Sequence, residues 1–125
     1  RGFMMRRWMI LMRMPGEVTQ RTYSLRLNTD ITVDIAMITV YNEMLRTGRI
    51  LGYDGYAGEN GIYQYQFQYP LTVGEDDYYI FAELHVDEAG SSIRTGSYYA
   101  VHVYNCVCYK LLIDEYGSYS IAEIL

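Results

Sequence analysis

The strongest constraint on this chain is an alternation of aromatic and other residues at a period of two. Between Ile62 and Tyr69 the sequence reads Ile-Tyr-Gln-Tyr-Gln-Phe-Gln-Tyr. Since successive side chains of a β-strand point to opposite faces of a sheet, this run predicts a strand with four aromatic rings on one face. The chain has 15 tyrosines and only 3 phenylalanines. Tyrosine packs like an apolar residue but keeps a hydroxyl group, so such a sheet either lines a wet pocket or forms a contact surface.

Length and hydropathy indicate one folded domain over residues 1–125. Half of the 125 residues are hydrophobic and 20% are charged, a composition that disfavours disorder. No apolar run approaches the roughly 20 residues that a membrane-spanning helix needs. The apolar patch that begins at Trp8 is cut by Arg13, which makes it too short for the core of a signal peptide. We therefore expect no membrane partner.

Charge is unevenly distributed along the chain. Residues 1–26 carry six basic groups and one acidic group, a net charge of +5, whereas residues 27–125 carry four basic and fourteen acidic groups, a net charge of −10. Such asymmetry favours internal docking of the basic segment on the acidic body, self-association, or a basic protein partner. Nucleic acid is disfavoured as a ligand, because Lys110 is the only lysine and phosphate binding needs a basic face.

Cys106 and Cys108 are the only cysteines. On one strand their Cα atoms would lie about 6.6 Å apart with parallel Cα–Cβ bonds, a geometry unsuited to a mutual disulfide. A zinc site would need two more ligands, so both His85 and His102 would have to converge on the thiols. We therefore expect reduced thiols and no metal. Together with the absence of a recognisable leader, this predicts a cytoplasmic protein.

The order of elements follows from turn and helix signals. Residues 1–28 are predicted to form a basic hairpin, and residues 29–48 a helix that ends at Gly48. Residues 49–125 are predicted to form a tyrosine-rich antiparallel meander. Its predicted strands span residues 49–57, 62–73, 78–87, 97–113 and 118–125. The fourth is too long for a usual strand, so it is either bent at a bulge or broken into two strands near Asn105.

These elements predict an α+β fold, with one amphipathic helix packed on a curled antiparallel sheet of about six strands. On a helical wheel the predicted buried side of the helix consists of Val33, Met37, Val40, Tyr41 and Met44. The hairpin formed by residues 97–104 and 107–110 is similar to the final hairpin of some bacterial cystatin-like and nuclear-transport-factor-2-like proteins, whose helix-then-meander order this chain also resembles. The resemblance implies a binding module, a protease inhibitor or an occasional enzyme, and it includes no functional motif.

The candidate catalytic residues are Asp34, His85 and His102. Glu83, His85 and Asp87 share one face of a predicted strand, and His102 can lie on the neighbouring strand, which would supply a metal site or a general base. The alternative is a solvent-facing strand edge, since the opposite face of that strand is apolar. Asp34 falls within the apolar arc of the helix, where a buried carboxylate could act as an acid or base. It also lies near the first helical turn, where the helix dipole favours a carboxylate, and this second interpretation is preferred.

Candidate binding residues come from one loop and from the sheet. Residues 52–61 have glycine at every third position and combine it with tyrosine and asparagine, a mixture typical of recognition loops and equally compatible with a flexible hairpin tip. The segment lacks the spacing of a phosphate-binding or a calcium-binding loop. The tyrosines of the sheet would line a pocket beneath the helix. The candidates are Tyr53, Tyr56, Asn60, Tyr63, Tyr65, Tyr69 and Tyr98.

The sequence favours a small acidic binding protein without catalytic activity, which docks a tyrosine-rich surface on a protein partner. An inhibitor of the phage or mobile-element type is one concrete form of this hypothesis. The alternative is a small-molecule-binding module or an acid–base enzyme with a tyrosine-lined pocket between helix and sheet. A homodimer formed through edge strands is compatible with either. No cofactor is predicted.

Overall fold

Residues 30–125 are described by the computed structural model of the chain. The predicted hairpin of residues 1–28 lies outside the described residues, and the single domain predicted for residues 1–125 stays a prediction. Within the described range the fold class is confirmed, because one helix packs on an open antiparallel sheet. The sheet has five strands where about six were predicted.

The helix, α1, spans Val33–Thr47. It begins behind Thr32, whose hydroxyl oxygen accepts a hydrogen bond from the Ile35 amide at 3.2 Å, and it ends at Gly48, whose φ of 80° is the left-handed conformation of a helix C-terminus. Val40 and Met44 are buried, as predicted, together with Ala36, and the other residues of the predicted side are partly buried against the same core.

The sheet is a meander in which each strand pairs with the next along the chain, in the order β1-β2-β3-β4-β5. Its strands are β1 (Ile62–Val73), β2 (Asp76–Val86), β3 (Ser92–His102), β4 (Cys108–Ile113) and β5 (Tyr119–Ala122). The sheet curls so strongly that the side chain of Tyr69 on β1 lies near that of Tyr119 on β5, whose proximity raises the pKa of Tyr69, although these two strands do not pair.

Two corrections concern the predicted strands. Residues 49–57 do not form a strand, and of these residues only Tyr56 makes an isolated β-bridge, to Ile62. The backbone of Gly55 contacts β1, where the Gly55 carbonyl accepts a hydrogen bond from the Tyr63 amide at 2.9 Å. Gly55 has φ 89°, and a Cβ there would lie 1.9 Å from the Tyr63 carbonyl oxygen, so the close approach requires glycine. The second correction is that β3 begins at Ser92 instead of residue 97.

The long segment of residues 97–113 breaks into two strands, which was one of the two predicted alternatives. Strand β3 ends at His102 and β4 begins at Cys108. Between them Cys106 has φ 61°, and its amide donates to the His102 carbonyl at 3.1 Å. The turn therefore closes on a non-glycine residue in the left-handed conformation.

A β-bulge in β1 corrects the predicted arrangement of the aromatic rings. Phe67 pairs with Phe81, but Tyr69 pairs with Ile80, so Gln68 is an extra residue in β1. Because the bulge reverses the alternation, Tyr63, Tyr65 and Phe67 face α1, whereas Tyr69 joins the opposite face. Each face has its own core, one beneath α1 around Phe81 and one on the other side around Ile80.

Candidate functional site

A buried carboxylate lies at the centre of the sheet, beneath the end of α1. Glu83 on β2 is 0% exposed, although its face of the strand was predicted to be a solvent-facing edge. The alternative of a solvent-facing edge is therefore wrong, because Arg49, Tyr65 and Thr95 enclose the carboxylate on this face and a second core around Ile80 lies on the other. Glu83 accepts hydrogen bonds from Arg49 Nε at 3.0 Å and Nη2 at 2.7 Å, from Tyr65 Oη at 2.8 Å and from Thr95 Oγ1 at 2.7 Å.

Glu83, Arg49, Tyr65 and Thr95 form what is here called the Glu83 cluster, and the three partners fix the charge state of Glu83. Burial alone would raise the pKa of Glu83, but the hydrogen bonds from Arg49, Thr95 and Tyr65 outweigh it and hold the pKa below its ordinary value. Burial and the bond to Glu83 raise the pKa of Tyr65. Burial also raises the pKa of Tyr99, to about 12, and the nearby charge of Glu83 adds to the shift.

Aromatic rings enclose the Glu83 cluster. The Tyr65 ring meets Tyr41 and Tyr99 edge-on, with centroids 5.1 Å and 5.8 Å apart, and the Arg49 guanidinium lies 4.2 Å from the centre of the Tyr63 ring. Both carboxylate oxygens of Glu83 already accept two bonds each, so they have no lone pair left for a substrate proton. The geometry is that of a satisfied buried ion pair, and it does not provide a general base.

The structure does not bring the predicted catalytic residues together. Asp34 is exposed in the first turn of α1, which agrees with the helix-dipole interpretation. His85 pairs with Ile93, while His102 pairs with Tyr78 near the other end of β2. The two histidines also lie on opposite faces of the sheet, because His85 shares the face of Glu83 and His102 the face of Tyr78.

Each histidine has a local structural role. His85 Nε2 lies 2.7 Å from the Asn60 carbonyl oxygen, and its ring meets Tyr63 edge-on at 5.3 Å. His102 Nδ1 accepts from the backbone amides of Tyr104 and Asn105, each at 3.2 Å. The ring proton of a neutral His102 is therefore on Nε2, which lies 3.2 Å from Asp76 Oδ1. This side chain caps the turn between β3 and β4.

The predicted tyrosine pocket is not assembled. Tyr63 and Tyr65 face α1, and Tyr65 is only 3% exposed within the core. Tyr69 and Tyr98 lie on the opposite face, where Tyr98 packs against the second core. The four residues therefore do not line one cavity, and they divide between the Glu83 cluster and the far side of the sheet.

Both loop tyrosines are exposed, Tyr56 at 51%, and Tyr53 in addition lines an apolar groove. This groove, here the helix groove, has a volume of about 640 Å³ and is lined by Asp34, Met37, Ile38, Tyr41 and Tyr53. Ile38 is 56% exposed and Tyr53 66% exposed. The sequence identified Tyr53 as a contact residue but missed Ile38, because the apolar arc of α1 is wider than the strip that the sheet covers.

A second groove of about 630 Å³ lies on the other flank of α1 and is lined by Thr39, Glu43, Arg46, both cysteines and the end of the chain. Cys106 Sγ lies 2.9 Å from Thr39 Oγ1, and both thiols are free, as predicted. Burial raises the pKa of Cys108 to about 12, which makes it an unreactive neutral thiol at physiological pH. The described residues contain no group of three or more metal-ligating side chains.

No protein-family model matches the sequence, and comparisons with curated proteins and with solved structures give no match. In the part of the chain that the structure describes, no helix has the length and apolar character needed to cross a membrane.

Proposed function

We propose that this protein is a non-catalytic binding protein that docks the helix groove on a protein partner. The observation that carries the proposal is the exposure of two large side chains that line the helix groove, Ile38 at 56% and Tyr53 at 66%, with Ile35, 47% exposed, nearby on α1. Ile35 lies one helical turn from Ile38, so it extends the apolar surface along α1. A contiguous exposed apolar patch beside a concavity is typical of a protein-interaction site.

The aromatic walls of the helix groove are held in place before any partner arrives. The Tyr53 hydroxyl donates to Asn42 Oδ1, and the Tyr41 hydroxyl accepts from the Tyr65 amide at 3.2 Å. Side chains that are already fixed lose little conformational entropy on binding, which favours affinity. Tyrosine is also enriched among the residues that dominate interface energies.

Charge defines the partner that this surface fits. The described residues carry a net charge of −10, and Asp34 lies in the wall of the groove. We therefore propose a partner that inserts an apolar side chain flanked by lysine or arginine. A second copy of the acidic body fits less well, because two such surfaces repel each other.

The helix-on-sheet arrangement supports, at the level of topology, the resemblance to cystatin-like and nuclear-transport-factor-2-like proteins. As a concrete form of the binding function, we propose that the protein inhibits a basic protein. Inhibitors of this type are encoded by phages and mobile elements. Fold alone does not select this form, and the support for it is the acidic body and the exposed groove.

A photo-crosslinking residue at position 38 tests the proposal in the cells that make the protein. The control is the same residue at position 116, because Tyr116 is 85% exposed on the turn between β4 and β5. We expect position 38 to capture a basic partner and position 116 to capture nothing. With the captured partner, Ile38→Asp and Tyr53→Ala should each weaken binding at least tenfold, or about 1.4 kcal/mol, whereas Tyr116→Ala should leave it unchanged.

Two outcomes would contradict the proposal. The first is capture from position 116 with none from position 38. The second is an affinity for the captured partner that Ile38→Asp and Tyr53→Ala leave unchanged while both variants remain folded. Native mass spectrometry of the gently purified protein separates the small-molecule alternative, since a constant adduct mass would favour a bound ligand.

A further inference from the structure

Two β-bulges bring polar side chains from β1 and β3 together on the face of the sheet opposite α1. In β1 the extra residue Gln68 directs Tyr69 to this face. In β3 the register shifts between the pairs Ala82–Tyr98 and Leu84–Arg94, so that Tyr98 lies opposite Ala82 and Arg94 lies opposite Leu84, the next residue of β2 on the same face. Since Ala82 has a small side chain and lies on the intervening strand, groups from β1 and β3 can meet across it.

The contacts across Ala82 are direct. Arg94 Nη2 donates to Gln68 Oε1 at 2.6 Å, and Arg94 Nη1 donates to the Tyr98 hydroxyl at 3.2 Å. The curl of the sheet adds Tyr119, whose side chain lies near that of Tyr69. We call these five residues the Arg94 cluster: Gln68, Tyr69, Arg94, Tyr98 and Tyr119. Tyr69 and Tyr119 are each 40% exposed, so the cluster is open to solvent.

Arg94 differs from the other two arginines of the described range, Arg46 and Arg49, because no carboxylate among the described residues pairs with it. Arg46 pairs with Glu43 at 2.5 Å and Arg49 with Glu83 at 2.7 Å, while Lys110 lies 4.8 Å above the Tyr99 ring. The side-chain partners of Arg94 are a neutral amide and a neutral hydroxyl. Its charge is therefore held in position without being neutralised, and three of its five N–H donors remain after these two bonds.

We propose that the Arg94 cluster binds an oxyanion, the carboxylate or phosphate group of a small aromatic ligand. A guanidinium that is fixed by two acceptors presents a planar fork of donors, which matches two oxygens of a carboxylate or phosphate. The hydroxyl groups of Tyr98, Tyr69 and Tyr119 add donors beside it, and the exposed tyrosine rings provide a stacking surface. This site lies on the face of the sheet opposite α1 and is independent of the helix groove.

The acidic body sets a limit on the affinity. Its net charge of −10 repels anions at long range, but at 0.1 M salt such repulsion is screened beyond about 10 Å. Recognition therefore depends on the short-range bonds from Arg94, and we expect dissociation constants of about 1 mM for single-group probes.

NMR titration of the whole protein with benzoate, phenyl phosphate and the neutral analogue benzamide tests this site. We expect benzoate or phenyl phosphate to shift the Nε–H signal of Arg94 and the amide signal of Tyr98 in a saturable way, with benzamide causing no saturable shift. The probe that binds more tightly identifies the chemical source of the oxyanion. Arg94→Gln should weaken binding at least tenfold, and Arg46→Gln should leave it unchanged, because the Arg46 charge is already paired.

The Tyr98→Phe/Tyr119→Phe variant keeps the guanidinium and removes two hydroxyl groups, so it should weaken the same probe about threefold. This variant decides the outcome if Arg94→Gln fails to fold. Equal binding by wild type and Arg94→Gln, no saturable shift with either anionic probe, or an equal response to benzamide would each overturn the proposal. Unchanged binding by a folded Tyr98→Phe/Tyr119→Phe variant would remove the tyrosines from the site.

Discussion

At the scale of single residues, Glu83 is the group on which the interior of the sheet most depends. Glu83→Gln keeps the shape of the side chain but replaces one acceptor oxygen by a donor, which faces the donors of Arg49, Tyr65 or Thr95. Breaking a buried pair from one side costs several kcal/mol, although Arg49 keeps some access to water, since its side chain is 40% exposed. We expect a loss of about 2–4 kcal/mol in the free energy of unfolding by urea. The exposed carboxylate Glu59 provides the matched control, and Glu59→Gln should change the value by less than about 0.5 kcal/mol.

The same residue predicts a pH dependence with a definite sign. The pKa of Glu83 is held below its ordinary value of 4.5 in the folded protein and returns to that value on unfolding. The unfolded chain therefore binds more protons, so the stabilisation is fully present above about pH 4.5 and is lost as the pH falls through the folded pKa. We expect the difference in unfolding free energy between wild type and Glu83→Gln to be constant from pH 7 to 5 and to shrink below pH 4. A difference that stays constant down to pH 3 would show that the carboxylate charge contributes nothing.

The sequence explains why Glu83 was misjudged. The alternation in β2 correctly predicted a strand, but a strand covered on both faces has no polar side. The local sequence around Glu83, from Phe81 to His85, is the same whether its carboxylate is exposed to water or paired with a guanidinium. Arg49 lies 34 residues away along the chain, beyond the reach of any local pattern. The exposed aromatic Tyr53 could be predicted, because loop composition is a local property.

At the scale of elements, two hairpins of the meander use the same turn. The segments Asp-Glu-Ala-Gly-Ser at residues 87–91 and Asp-Glu-Tyr-Gly-Ser at residues 114–118 have the same pattern. In each turn the aspartate Oδ1 accepts two backbone amides at 2.9 Å, and the glycine has a positive φ, 87° at Gly90 and 82° at Gly117. These are type I turns followed by a left-handed glycine. In each acidic pair, Asp87-Glu88 and Asp114-Glu115, the carboxylate of the aspartate is therefore a structural acceptor.

Asp87→Ala should therefore destabilise the protein although Asp87 is exposed. Loss of two bonds to a charged acceptor in a solvated turn should lower the unfolding free energy by about 1–2 kcal/mol. Asp114→Ala should cost a similar amount, and the double variant should show the sum, since the two turns share no partner. Glu88→Ala and Glu115→Ala are the neighbouring controls, with changes expected within about 0.5 kcal/mol. Equal effects of Asp87→Ala and Glu88→Ala in urea unfolding would contradict a structural role of the aspartate.

The bulges are the part of the sheet that sequence patterns did not reveal. A single extra residue reverses the facing of everything beyond it, and Gln68 does so in the middle of a run whose alternation continues without interruption in the sequence. The reversal separates Tyr69 from Tyr65 and is what builds the Arg94 cluster. The position of the bulge is set by the pairing of β1 with β2. The alternation of residues within β1 alone therefore does not contain it.

At the scale of the whole molecule, β1 is an edge of the sheet within residues 30–125, and several of its outward positions are protected against pairing with another chain. The amide of Tyr63 donates to the Gly55 carbonyl at 2.9 Å and the amide of Tyr65 to the Tyr41 hydroxyl at 3.2 Å. Pro70 further along the strand has no amide proton to offer. An edge whose donors are occupied or absent is a poor template for strand addition. If the predicted homodimer forms, we therefore expect it to use a surface other than the first half of β1.

Removing the protection tests this argument. In the variant Tyr41→Phe/Pro70→Thr, the Tyr65 amide loses its acceptor and position 70 gains a donor, while the apolar surface changes little. We expect faster and concentration-dependent self-association at 37 °C, measured by light scattering and by a dye that reports β-aggregates. Tyr109→Phe, on an interior strand, is the control for loss of a hydroxyl group and should behave as wild type. Wild-type association that is equally fast would mean that β1 is already open to pairing. Association of the variant that 0.5 M salt abolishes would instead indicate charge as its cause, because backbone pairing is nearly insensitive to ionic strength.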